Sequence, residues 1–155
     1  METTFGNIDG VIVRPLKKIS DIRGTIMHGV RNDNLLNEFG EVYFKKLYKG
    51  ILNGWHVHET LLLNYLCLSG MIKTVLYDMR ENSPTKGFIQ EVFYGDDNYV
   101  LLHIPPGIAN ASTVVFGDFC LMCNVASEAH NPNIKYKRID PLSQEIPYDW
   151  NKKHF

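Results

Sequence analysis

Two imidazoles in a frame of glycines are the part of this sequence best suited to chemistry. His56 and His58 stand two residues apart in the segment running from Gly50 to His58. Side chains alternate along an extended strand, so both rings leave the same face. Imidazole titrates near neutrality, which suits it to taking a proton from an acidic C–H or to holding a metal. Amides and phenols are the candidate helpers. Asn64, Asn110 and Asn124 interrupt apolar runs, where an amide must find partners or face water. A wet barrel lumen holding a polar small molecule would supply both, and bonds to nearby backbone are the plainer alternative. Tyr43, Tyr65 and Tyr77 lie in strand-like runs and could each donate a proton, although tyrosine in strands is more often packing.

These groups need elements to carry them, and the recurring element is the short strand. Residues 11–13, 25–30, 42–48, 61–68, 71–77, 88–93, 99–104 and 119–125 are short and rich in β-branched, aromatic or leucine residues. Turn chemistry separates them at Ser69-Gly70, Ser83-Pro84, Gly95 to Asn98 and Pro105 to Gly107. One short helix is expected over 34–39, capped by Asp33 and ended by Gly40. Stretch 131–155 is polar and broken by proline, so it is expected to be irregular and to pack over the rest. Many short strands in 155 residues predict one all-β domain spanning 1–155, a sandwich or barrel.

Composition removes several function classes. The formal net charge is -1 with both signs mixed along the chain, so no basic stripe invites nucleic acid. Residues 1–10 hold no apolar signal core, and the most apolar run, 61–68, is far too short to span a bilayer. Cys67, Cys120 and Cys123 are an odd set within apolar runs, which predicts reduced buried thiols and a cytoplasmic protein.

The spacing of Gly50, His56 and His58 resembles the first half of the cupin motif, and Pro105-Pro106-Gly107 through Asn110 resembles the second. A metal-binding cupin adds a glutamate and a third histidine. Here those positions read Leu63 and Asn110, and asparagine is a poor ligand for metals that imidazole selects, so no metal and no cofactor are expected.

Further segments resemble, in order, the dTDP-4-dehydrorhamnose 3,5-epimerase family. Asp21-Ile22-Arg23-Gly24 matches its Asp-x-Arg-Gly, and Gly50 to His56 matches its Gly-Val-x-Arg-Gly-Leu-His. Asp78-Met79-Arg80 with Ser83-Pro84-Thr85, then Ile104 to Gly107, then Asp140-Pro141 and Ile146 to Trp150 follow. The resemblance implies a double-stranded β-helix, the cupin or jelly-roll barrel, that forms a homodimer and binds a nucleotide-linked 4-keto-6-deoxy sugar. It implies that His56 is the base and that Arg23 holds the nucleotide diphosphate; Asn53, His58, Asn64, Asn110 and Asn124 are the candidate substrate-binding residues read from the chain itself, His58 and Asn64 as donors to the enolate oxygen. The family's arginine before Gly-Leu-His is Asn53 here, its lysine falls on Leu63 or Asn64, and its acidic tyrosine falls on Leu121 or Asn124. Its tail carboxylate, which pairs with the histidine, has no counterpart, since no aspartate follows Trp150. Tyr43 and Tyr77 are therefore the candidate acids. The implied activity is epimerisation by proton removal beside the ketone. A base without an opposed acid would instead shift the carbonyl, as a keto-sugar isomerase, and a non-catalytic cupin that only binds a sugar nucleotide is the third reading.

Overall fold

The computed structural model describes residues 3–134 and 136–151. Eleven strands account for the regular structure among the described residues: β1 (Thr4–Phe5), β2 (Ile12–Pro15), β3 (Lys18–Asp21), β4 (Gly24–Met27), β5 (Glu41–Tyr48), β6 (Leu52–His58), β7 (Leu63–Asp78), β8 (Phe88–Gly95), β9 (Val100–Ile104), β10 (Ile108–Ala126) and β11 (Tyr136–Arg138). Nine of them form one sheet around the path β1-β8-β7-β10-β6-β11, with β5 on β10, β9 on β7 and β2 on β9. The remaining two, β3 and β4, make a separate hairpin.

Two long strands organise the barrel. β10 pairs with β7, β6 and β5, and its register with β7 slips between Val114 and Met122. Opposite that slip, Ser69-Gly70 does not end a strand as expected; β7 runs through it and bends. Gly70 has φ +82°, and a Cβ there would stand 2.6 Å from the Phe119 carbonyl oxygen, so glycine alone fits. The bend also exchanges the faces. Leu63 and Cys67 point into the main core before it, whereas Ile72 and Leu76 do so after it. Odd positions face inward on one side of Gly70 and even positions on the other.

The main core joins those residues to Leu102, Ile104, Ile108 and Tyr94. A second cluster lies on the outer face, where Trp55, Val75, Ile89 and Ala111 are covered by Ile139, Ile146, Tyr148 and Trp150. Lys73 fastens this cover: its Nζ donates to Tyr148 Oη at 2.9 Å and sits 5.2 Å from the Trp150 ring centre, while Tyr148 Oη bonds Glu91. The C-terminal stretch thus packs over the barrel as expected, but it also forms β11 against β6, which its polar sequence did not suggest. Its residues 135 and 152–155 lie outside the described residues.

No helix forms over 34–39. Asp33 does accept the backbone N–H of Leu35 at 3.1 Å, as a cap would, yet its carboxylate also takes the Arg14 guanidinium at 2.9 Å. Leu35 and Leu36 pack together on Leu66 and Leu101. Six residues cannot offset helix nucleation when both leucines are drawn to one cluster.

The end of β7 is locked by Asp78, which is fully buried. Burial alone would raise its carboxyl, but donors from Arg80, Ser83 and Thr85 outweigh that and hold it down at about 2. A carboxylate near 3.8 when unfolded and near 2 when folded contributes stability above pH 4 that is lost as pH falls toward 2, about 2 kcal/mol. Asp78→Asn should cost about 3 kcal/mol in denaturant unfolding at pH 7, and less than half of that at pH 2.5.

Candidate active site

β6 enters the barrel wall with Gly54, whose φ is +147° and whose added Cβ would meet Ala111 Cβ at 2.4 Å. This close approach seats β6 against the first half of β10, with Asn110 opposite His56. β5 pairs with the second half, placing Tyr43 opposite Asn124 and Lys45 opposite Met122. Between these walls lies a cavity of about 630 Å³. Tyr43, Asn53, His56, His58, Asn110 and Asn124 all line it, together with Lys45, Tyr65 and Tyr136.

His56 faces this cavity with Nδ1 hydrogen-bonded to Tyr136 Oη. The Tyr136 ring stacks on His56 at 5.5 Å between centres and leans on His58 at 5.1 Å. Nε2 of His56 and Nδ1 of His58 are buried and make no hydrogen bond. Burial lowers both imidazoles; for His56 the positive charges of Lys45 and Arg138, and then His58, carry it down to about 4. Neutral imidazole is therefore the resting form, and a tautomer that donates from Nδ1 to Tyr136 leaves the Nε2 lone pair free.

The amides serve as struts. Asn110 Nδ2 donates to the His56 carbonyl at 3.2 Å and its Oδ1 accepts from Tyr65 Oη at 3.4 Å. Asn124 Nδ2 donates to Tyr43 Oη at 3.0 Å. A phenol that accepts from an amide keeps its own proton for another partner, and the donated bond stabilises the phenolate left behind.

Three expected residues stand elsewhere. Asn64 is fully buried outside the cavity, its Nδ2 donating to the Val125 carbonyl at 3.0 Å and its Oδ1 lying 2.8 Å from His103 Nδ1. Tyr77 packs in the outer cluster with Trp55 and Val75, because the bend at Gly70 reverses the faces of β7. Arg23 stands at the tip of the β3–β4 hairpin, 85% exposed and paired with Asp21. Three residues were not anticipated: Tyr136, Lys45 and Arg138. Strand alternation from Tyr43 would have found Lys45; nothing in the spacing marks the other two. Among the described residues, no three His, Cys, Asp or Glu side chains gather closely enough to hold a metal ion. No helix there is long and apolar enough to cross a membrane.

Residues 6–154 match the family model described as dTDP-4-dehydrorhamnose 3,5-epimerase. The spore coat polysaccharide biosynthesis protein SpsL of Bacillus subtilis is 36% identical over 146 residues, covering 93% of this chain and 97% of that one. The probable low-salt glycan biosynthesis epimerase Agl13 of Haloferax volcanii is 30% identical over 146 residues, covering 92% and 90%. The crystal structure of a dTDP sugar isomerase from Desulfovibrio desulfuricans superposes with a TM-score of 0.88 at 29% identity, covering 95% and 94%. The all-β barrel is thus the double-stranded β-helix of the cupin type that the sequence led us to expect.

The site's electrostatics can be read directly. In the free protein the His56 ring signal should titrate near pH 4 by proton NMR, and Tyr136→Phe should shift that midpoint while the ring stays packed. The unfolded chain takes up this proton near 6.5 and the folded one only near 4, so His56 lowers stability as pH falls through that interval. A His56 midpoint near 6.5 would contradict the buried, cation-flanked site.

Proposed function

Because the chain belongs to the dTDP-4-dehydrorhamnose 3,5-epimerase family, we propose that it epimerises a nucleotide-linked 4-keto-6-deoxy sugar, or a related keto sugar, by removing the proton beside the ketone. The relatives named for spore coat polysaccharide and low-salt glycan biosynthesis support polysaccharide supply as the setting. One observation carries the mechanism. Two proton-handling groups enter one cavity from strands that do not pair with each other, His56 from β6 and Tyr43 from β5, each against a different half of β10. Inversion needs removal from one ring face and delivery to the other, so base and acid must come from separate walls.

In this reading His56 Nε2 takes the proton and the electron pair moves onto the ketone oxygen. His58 and Asn53 are the donors near that enolate oxygen, Asn110 and Asn64 being committed elsewhere. Tyr43 returns a proton to carbon from the other side, its phenolate held by Asn124. Tyr136 is a positioning residue that fixes the His56 ring. A carbonyl-shifting isomerase is the second reading. It is favoured by the two unpartnered imidazole nitrogens on one face of β6, a pair able to move a proton along one side of a sugar.

Heavy water separates these readings. With a 4-keto-6-deoxy sugar nucleotide, the protein should incorporate deuterium with inverted stereochemistry, followed by mass spectrometry and proton NMR. His56→Asn should slow incorporation about a thousandfold. Tyr43→Phe should keep much of the exchange while slowing inversion about a hundredfold. Deuterium with a moved carbonyl would establish the isomerase instead, and binding without exchange would leave a non-catalytic binder.

We also propose that the working unit is a homodimer. Among the described residues β5 pairs only with β10, and its outer side shows Phe44 at 61% and Tyr48 at 59% exposure. An open strand edge backed by aromatics invites a second strand, here that of a second copy. Light scattering should give twice the chain mass, and Phe44→Glu should reduce it to one; a monomeric parent protein would end this proposal.

A further inference from the structure

Charge is spread unevenly around the cavity. Glu41 lines one end beside Glu128, where Gly40 packs on the Glu128 backbone. Lys45 is four residues further along β5 on the same side, about 13 Å from Glu41 at strand spacing. Arg138 stands opposite His56 in the β6–β11 register and so shares its face, at the exposed rim. Neither Lys45 nor Arg138 forms an ion pair among the described residues. The two nevertheless lie near enough for the charge of Arg138 to act on Lys45, and for both to act on His56. Two cations directed at the same cavity, Lys45 from the β5 wall and Arg138 from the rim of the β6–β11 wall, form a place for an anion carrying more than one charge.

Resting on the sugar-nucleotide reading above, we propose that Lys45 and Arg138 dock the substrate's diphosphate, Lys45 from inside the cavity and Arg138 from its rim. The β6 position that could have supplied a guanidinium holds Asn53, and Arg23 is engaged by Asp21 on its own hairpin. The cations that remain come from β5 and β11. An ammonium within and a planar guanidinium outside suit two bridged phosphates, the first as a point charge and the second through paired donors. The sugar then extends past His56 toward Tyr43, and the end bearing Glu41 and Glu128 stays clear of the phosphates.

Calorimetry on the full chain tests this with dTDP, UDP, GDP, CDP and the parent nucleosides as probes. The diphosphate that binds best should lose roughly tenfold in affinity in Lys45→Gln and again in Arg138→Gln, with the nucleoside alone unaffected. Lys45→Arg should restore most of the loss, and added salt should weaken the parent protein more than the double variant. Unchanged thermal midpoints would show that the variants fold. Full diphosphate affinity in both single variants would overturn the assignment while leaving the sugar-nucleotide reading intact. So would a Lys45→Gln protein that binds normally but turns over slowly, which would move Lys45 to the enolate. If the parent protein binds none of the four diphosphates, the sugar-nucleotide reading fails and this one with it.

Discussion

β10 is the common reference for everything that faces the cavity. Its first half holds β6 at a distance that only the hydrogen of Gly54 allows, and its second half holds β5 by eight consecutive register pairs. Asn110 and Asn124 are on β10 itself, and each extends an amide to a neighbouring strand, one to the His56 carbonyl and one to the Tyr43 hydroxyl. An error of one residue in either pairing would turn one wall's side chains outward. The placement of the His56 imidazole and the Tyr43 phenol is therefore a property of the sheet's hydrogen bonding, with side-chain struts making the final adjustment.

The polar groups fall into two kinds. Asn64, His103 and Asp78 are buried and satisfied by protein partners, so they hold strands in place. His56 and His58 keep buried nitrogens with no partner, which is costly in a fold that otherwise pairs its amides. Burial, with Lys45 and Arg138, also opposes protonation of His56, so the ring stays neutral. On the proposed function, an anion beside the two cations would ease that field, and a reacting carbon would meet the idle nitrogen.

Much of this was readable from residue types. Short β-rich runs between turn residues indicated the barrel, and the spacing of His56 and His58 indicated a shared face. Tyr43 and Asn124 were both named, but their contact depends on the β5–β10 register, which no local pattern reveals. The face of Tyr77 was not legible, because Ser69-Gly70 reads as a turn, whereas the strand runs through it, bends and exchanges its faces. Asn64 shares that strand and looked like a cavity amide until its partners appeared on β9 and β10. Tyr136 could not be read at all, since it sits in a three-residue strand within a polar, proline-broken stretch.

The contact between Tyr136 and His56 joins residues 80 positions apart. The segment that brings the phenol across is itself pinned on the far side of the sheet by the ammonium of Lys73 among Tyr148 and Trp150. The cavity's inner wall and its tail fastening thus sit on opposite surfaces of the same sheet. Loosening of that distant aromatic clasp would reach the imidazole as lost alignment, through backbone continuity and without any change among the groups that touch a ligand.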